Sequence, residues 1–405
     1  MDIDLTNTIA IIPAKAESKR LPRKNVLPFL GKPLFLWSVE AALDAGITPI
    51  VSTDSDEIKN ICDAYNVKWV QEKWDGDGPL ERVVEQVLAV VDAHAFVLLQ
   101  PTSPLRVPGL IHYGFCKLEE EGKHSAYTYK SIKPTGHFGD EFYRGQIEQE
   151  CPLFFKWFDG NIIWCHTSYF KEHGTFMTAE SIPIENVYPA TQQIDYKREA
   201  DGLEAIAKKT QYRVFVPGAV SKVAVVSNKH RYKKNYSKFI DSCDIVVRVN
   251  RMENANTGSS GNRTDVLCLS NSQAYFVYDK MTGCAAPVPD VPLVWTTLSE
   301  DEKVKPLLDI GMNGGVQVFI PGSNVDRCWT TYAAAIKSCM QSWSRCHVYA
   351  VGTFDVKTRT GDGWIYHKHS DESIALNKYL NEGRLTIVDE EDIDSKSSRK
   401  LKFSV

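Results

Sequence analysis

At 405 residues, 43% hydrophobic and 24% charged, the chain has the composition of a soluble globular protein, which excludes the disordered, fibrous and collagen-like classes. That length holds two domains or a little more, each large enough for its own core. Lys and Arg number 47 against 51 Asp and Glu, a net charge of −4, which argues against a bulk electrostatic binder of nucleic acid. Phosphate chemistry has to come from local clusters.

The beginning lacks the basic start and apolar stretch of a signal peptide, and no apolar run approaches the roughly 20 residues that cross a bilayer. Ten cysteines lie between Cys62 and Cys346 without a CxxC pair, so reduced thiols are expected rather than a zinc knuckle or a disulfide framework. The expected location is cytoplasmic, peripheral to the inner membrane at most.

Thr8–Pro13 is a short apolar run ended by Pro, followed by a basic loop and an amphipathic stretch, Leu34–Ala45. Strand, loop and helix in that order open an α/β unit. Strands follow at Ile47–Ser52 and Ala95–Gln100, with helices at Asp56–Tyr65 and Pro79–Val91. A second apolar run, Lys222–Asn228, again leads into a basic loop and a helical stretch. After it Asp244–Asn250, Asp265–Leu269, Leu293–Thr297, Val316–Ile320 and His347–Val351 alternate with helical segments such as Cys328–Gln341. The expected architecture is two Rossmann-like α/β domains with mostly parallel sheets, residues 1–214 and 215–405, divided near residue 215 where Val214–Gly218 carries a turn signal. Ligands then belong at the carboxyl ends of the strands.

The loop after the first strand, Pro13 to Asn25, carries five cations: Lys15, Lys19, Arg20, Arg23 and Lys24. Cations held at the mouth of a sheet suit a triphosphate, although a solvated basic loop has the same composition. The order of residues decides between the two. The loop resembles the signature of the CMP-sialic acid synthetases, and the blocks Leu30-Gly-Lys-Pro-Leu34, Val51-Ser-Thr-Asp-Ser55 and Leu99-Gln-Pro-Thr-Ser-Pro-Leu-Arg106 continue the match in order, over about residues 8 to 210.

That resemblance implies a nucleotidyltransferase that joins CTP to a 2-keto-3-deoxy acid sugar and releases pyrophosphate, with Mg2+ as cofactor and a homodimer as the assembly. It implies nucleotide contacts at Lys15, Ser18, Arg20 and Asn25, catalytic stabilisation by Lys24, and sugar contacts at Gln100, Arg106 and Gln149. The family's paired metal carboxylates are reduced here to Asp195, with Gln193 in the other place. A helix N-cap before Lys197 is the plainer reading of Asp195. Ala16 and Glu17 replace the family's paired glycines. Glu148-Gln149-Glu150-Cys151-Pro152 lacks the arginine of the substrate loop, which leaves open whether the sugar is sialic acid, another nonulosonate or Kdo.

The second half lacks the Gly-Asp-Ser block of an esterase domain. Val223–Asn228, Ile240–Asn250 and Gly261–Asp265 resemble the long sialylmotif of the animal-type sialyltransferases. Thr330–Gly352 resembles their small motif, and His367–Glu372 has the H-x4-E spacing of their very small one. By this resemblance Asn228 and Asn250 hold the CMP of the donor, and His367 is the base that takes a proton from the acceptor. His369 is its possible substitute, and Glu372 completes the motif. A surface histidine pair before a capped helix is the alternative. Trp329-Thr330-Thr331 lacks the small motif's glycine. The family's disulfide is excluded by Val223 in the first cysteine's place.

The combined expectation is a bifunctional enzyme that activates a keto-acid sugar with CTP and transfers it with inversion to a glycan acceptor of a bacterial surface polysaccharide. A Kdo enzyme of the same architecture, or a synthetase with a non-catalytic binding and oligomerisation module, remains the rival.

Overall fold

The computed structural model describes residues 5–73, 78–132, 136–138, 141–143, 155–227, 235–249, 260–269, 293–296, 316–319, 331–352 and 369–388. Two seven-stranded sheets dominate it, one built from residues 8–185 and the other from residues 222–388.

The first sheet grows outward from β1 (Thr8–Pro13), whose first five residues are buried. It pairs in parallel with β4 (Thr48–Thr53) on one side and β6 (Ala95–Leu99) on the other, with Ile11 opposite Ile50 and Leu98. Strand β5 (Lys68–Gln71) forms the edge beyond β4. The far side holds β10 (Phe155–His166), β7 (Ser125–Ile132) and β11 (Ile182–Glu185), and there β10 runs antiparallel to both neighbours. Two short ribbons, β2 (Pro28–Phe29) with β3 (Lys32–Pro33) and β8 (Gly136–Phe138) with β9 (Glu141–Tyr143), stand apart.

Helix α1 (Leu36–Asp44) buries most of its length, whereas α2 (Asp56–Ala64) and α3 (Leu80–Leu88) bury one face each, Ile58 with Cys62 and Val83 with Val84 and Val87. That spacing is the helical repeat of an amphipathic segment. Ser55 starts α2 by accepting the Ile58 N–H at 3.3 Å. Helices α4 (Leu110–Glu121), α5 (Thr167–His173) and α6 (Lys197–Ala207) complete this half.

In the second sheet every pairing is parallel: β16 (Val316–Phe319), β15 (Leu293–Thr296), β14 (Val266–Leu269), β13 (Ile245–Val249), β12 (Lys222–Val226), β17 (His347–Val351) and β18 (Leu385–Val388), in that spatial order. The chain winds outward from β12 to β16, then returns to the other side of β12. The crevice between β12 and β17 is therefore the sheet's topological switch point. Helices α7 (Ser237–Ser242), α8 (Thr331–Ser342) and α9 (His369–Asn381) flank it.

One apolar core runs from Ala10 through Phe215 to Val348, so the halves share buried surface. Their contact is also polar. Arg345 donates to Asp44 Oδ1 at 2.7 Å and to Glu40 Oε2 at 2.8 Å, Gly218 N–H donates to Asp44 Oδ2 at 2.6 Å, and Ser344 N–H reaches the Asp44 carbonyl at 2.7 Å. Burial pushes the Asp44 carboxyl up, and the Gly218 and Arg345 bonds only partly offset it.

The α/β class with mostly parallel sheets matches expectation; the antiparallel β10 does not follow from the alternating pattern. Its Asp159-Gly160-Asn161 reads as a turn, but it forms an irregularity within one long strand, where the register against β7 shifts between Phe158 and Ile163. Among the described residues the cysteines are free and buried, and no helix is long and apolar enough to cross a membrane.

Candidate active site

The basic loop leaves the carboxyl end of the central strand β1 and is pinned to β4: Ala14 N–H donates to the Ser52 carbonyl at 2.8 Å and Ala16 N–H to Asp54 Oδ1 at 2.7 Å. It closes in a 3-10 turn, Lys24–Val26, entered through Arg23 in the left-handed region at φ 57°. Asn25 is buried and donates its side-chain amide to the Lys15 carbonyl at 2.9 Å, so it braces the loop from inside. Lys15 and Ser18 are half-buried; Glu17, Lys19 and Arg20 are exposed.

Three of the loop's cations meet carboxylates far away in sequence. Lys24 Nζ lies 2.9 Å from Asp195 Oδ1, Arg20 Nη1 lies 2.5 Å from Asp195 Oδ2, and Arg23 Nη2 lies 2.5 Å from Glu57 Oε1. Asp195 is held in place from both sides: Ile194 N–H donates to the Thr102 carbonyl at 2.8 Å, and Asp195 N–H donates to Glu199 Oε2 at 2.7 Å. Burial raises the Asp195 carboxyl, but Lys24 and then Arg20 outweigh it and hold it below its ordinary value. The plainer reading of Asp195 as an N-cap is corrected, since the capping position belongs to Tyr196 and the Asp195 carboxylate faces the loop.

At the carboxyl end of β6, Gln100 approaches the β10 irregularity. Gly160 has φ +66°, and a Cβ there would stand 2.5 Å from Gln193 Nε2 and 3.3 Å from Gln100 Nε2. Gln193 donates to the Asp159 carbonyl. Asp159 is buried, accepting from Thr128, from Asn161 N–H at 2.9 Å and from Asn186 at 2.7 Å. Gly160 is thus favoured by its left-handed backbone, and a Cβ there would push aside the end of the Gln193 side chain.

Arg106, expected to face the sugar, turns inward instead. It is 4% exposed, and its guanidinium donates to Ser38 Oγ and the Gln100 carbonyl, each at 2.9 Å, and to Asn161. Burial lowers its pKa to about 9, with Asp159 acting the other way, so it stays charged at neutral pH. Its role in this arrangement is to fix Gln100 and the Asp159–Asn161 segment.

Glu72, just beyond β5, escaped the reading of the sequence. It is 2% exposed and accepts from Ser52 Oγ at 3.1 Å. Burial pushes its carboxyl up against that bond; Asp54 adds to the rise and Lys15 opposes it. Only its neighbour Lys15 was a signal, and spacing could not link the two.

Among the described residues no three acids, thiols or imidazoles converge on a point that would hold a metal. Asp195 is the anionic ligand on offer, and one carboxylate fits Mg2+, which keeps several waters and shares phosphate oxygens.

Gln149, Asn228, Asn250 and His367 lie outside the described residues. The strands before the two asparagines, β12 and β13, end side by side at Val226 and Val249. His369 and Glu372 fall in the first turn of α9.

Residues 9–142 match the family model described as Cytidylyltransferase. The first half is similar to the cytidylyltransferases. Cytidylyltransferase relatives include the N-acylneuraminate cytidylyltransferase of Escherichia coli O18:K1:H7, 36% identical over 25% of this chain and 26% of that protein. Another is the CMP-N,N'-diacetyllegionaminic acid synthase of Legionella pneumophila, 35% identical over 26% of this chain and 50% of that protein. The chain therefore spans between about a quarter and half the length of these curated relatives. A solved CMP:2-keto-3-deoxy-manno-octonic acid synthetase complexed with CTP superposes on 49% of this chain and 97% of its own, at 18% identity and a TM-score of 0.40.

Proposed function

We propose that the chain is a bifunctional enzyme in which residues 1–214 join CTP to a 2-keto-3-deoxy acid sugar of the nonulosonate class, and residues 215–405 transfer that sugar from CMP to a glycan acceptor. The observation that carries the first activity is the convergence of Lys24 and Arg20 on Asp195 at the carboxyl ends of the central strands, within the half that is similar to the cytidylyltransferases. Cations and a carboxylate so placed are stored as a mutual ion pair and can exchange it for a triphosphate with its metal.

The chemistry asks for that exchange. The sugar hydroxyl attacks the α-phosphorus of CTP and gives up its proton to solvent, the bond to the β-phosphate oxygen breaks, and pyrophosphate leaves with the electron pair. The protein's work is to position the ends and neutralise charge. Lys24 and Arg20 take the phosphate oxygens, with Lys15 and Ser18 beside them. Asp195, released by the same cations, would hold Mg2+, which supplies Lewis-acid neutralisation of the developing phosphate charge. Gln100 meets the sugar, and Arg106 holds Gln100 from behind.

For the second half, support comes from topology. Asn228 follows β12, which borders the switch point where open α/β sheets take ligands, and Asn250 follows the adjacent β13. His367 is the base of this reading, and its neutral imidazole suits proton removal near pH 7. Fusion keeps the CMP-sugar at a high local concentration for the transferase.

The test is product analysis with CTP, keto-acid sugar, Mg2+ and acceptor. His367→Ala should abolish transfer and spare CMP-sugar formation. Transfer that survives the joint loss of His367 and His369 contradicts the second activity.

A further inference from the structure

A cavity of about 30 Å3 lies where the two halves meet. From the first half it is lined by Arg106, the residue that holds Gln100 from behind, and from the second by Gln341, Ser342 and Trp343 at the end of α8. Both walls are fixed. Arg106 N–H donates to the Phe215 carbonyl at 2.9 Å, in the segment that joins the halves. Helix α8 is anchored at its start, where the Tyr332 hydroxyl reaches the carbonyls of Val225 and Val351 at 3.3 and 3.1 Å, and just past its end, where Ser344 Oγ donates to the Leu43 carbonyl of α1 at 2.7 Å.

Three of the lining residues each carry a buried polar atom with no hydrogen-bond partner among the described residues: Arg106 Nε, Gln341 Oε1 and Ser342 Oγ. Nη1 and Nη2 of Arg106 are engaged by Asn161, Ser38 and the Gln100 carbonyl, so Nε–H is the donor that these bonds leave. A donor, an acceptor and a hydroxyl around one small space are the complement of water, which both donates and accepts. A buried water needs roughly 10–15 Å3 and two to four polar partners. The cavity has room for one or two, and far too little for a nucleotide or a sugar.

We propose that one or two buried waters bridge Arg106 Nε to Gln341 Oε1 and Ser342 Oγ, and that Gln341 and Ser342 are positioning residues for the sugar contact of the first half. They act through Arg106. Its guanidinium is planar and rigid, so holding Nε sets the direction of Nη2, which donates to the Gln100 carbonyl at 2.9 Å. The second half thereby supports a sugar contact that is made wholly by the first, and the first activity depends on α8 as well as on its own strands. The positioning role rests on the reading that Gln100 meets the sugar; the water bridge does not.

The experiment has two arms, both on the full chain. Heteronuclear NMR of the unaltered protein reads the Arg106 Nε–H, and the expected result is a slowly exchanging signal with a cross-peak to a long-lived water. The second arm follows CMP-sugar formation with whichever of sialic acid, other nonulosonic acids and Kdo the unaltered protein turns over. Gln341→Met and Ser342→Ala should each raise KM for the sugar about threefold to tenfold, the range of one hydrogen bond, with KM for CTP held within about twofold. Arg345→Ala loosens the same interface at Asp44 but removes no side chain that lines the cavity, so both constants should stay within about twofold there. An Arg106 Nε–H without a water cross-peak overturns the bridge. Sugar KM unchanged in both cavity variants, or raised as much by Arg345→Ala, overturns the positioning role. If the unaltered protein forms no CMP-sugar, the proposed function fails and the positioning role with it, while the water cross-peak, which needs neither activity nor a variant, still decides the bridge.

Discussion

Lys24 Nζ sits 2.9 Å from Asp195 Oδ1, although 171 residues of chain separate them. The bond joins the loop after the first strand to the entry of α6, and Arg20 strengthens it from the other carboxylate oxygen. If Lys24 exchanges Asp195 for the triphosphate, Lys24→Ala should lower kcat/KM for CMP-sugar formation on the order of 100-fold or more. Steady-state kinetics with CTP varied check this, with circular dichroism to show that the variant is folded.

Asp195→Asn removes the carboxylate proposed to hold Mg2+ and both ion pairs. The Mg2+ concentration for half-maximal rate should then rise by about tenfold or more. A rate titration with Mg2+ at saturating CTP is the measurement.

The pH dependence follows from the direction of the Asp195 shift. A carboxyl held below its ordinary value contributes its ion pair fully above that value, and the contribution is lost as pH falls through the lowered one. In the ligand-free protein the Asp195 carboxyl resonance should therefore titrate with a midpoint below 3.8, and Lys24→Ala should move it upward. Carbon NMR of labelled carboxyl groups reads both.

How much of this was legible follows from which contacts are local. The first strand, its basic loop and the helix at Asp56 are written in short stretches, and Lys15, Arg20, Lys24 and Asp195 could be picked out by resemblance. The pairing of Lys24 with Asp195 is not local, nor is the inward turn of Arg106, which depends on Ser38 and Asn161 lying behind it. Strand β10 was hidden because Asp159-Gly160 looks like a turn. Glu72 was hidden because nothing in the spacing of an acid after an edge strand says that it is buried.

Gly160 tests the packing behind the site. With φ +66°, Gly160→Ala adds left-handed strain of about 1–2 kcal/mol and displaces the end of the Gln193 side chain. Thermal denaturation should show the loss of stability, and KM for the sugar should rise more than KM for CTP as Gln100 is displaced.

Glu72 offers the opposite pH sign from Asp195. A carboxyl raised on folding costs stability as pH rises through the window above its ordinary value of 4.5. Glu72→Gln resembles the protonated form, so its Tm relative to the unaltered protein should climb as pH increases across that window. A pH series of melting curves decides it.

Between the halves, Asp44→Ala leaves the Gly218 N–H without its carboxylate and Arg345 with Glu40 alone. With Asp44 buried but Arg345 partly exposed, the loss should be about 2–3 kcal/mol, measured by denaturant titration.

The central claim is that this chain makes a CMP-activated keto-acid sugar. Incubating it with CTP, Mg2+ and a panel of sialic acid, other nonulosonic acids and Kdo, and weighing the nucleotide products by mass spectrometry, tests that claim most directly. The expected result is a CMP-sugar adduct with one molecule of pyrophosphate for each sugar consumed, lost in Lys24→Ala. Unchanged CTP with every sugar of the panel would contradict it.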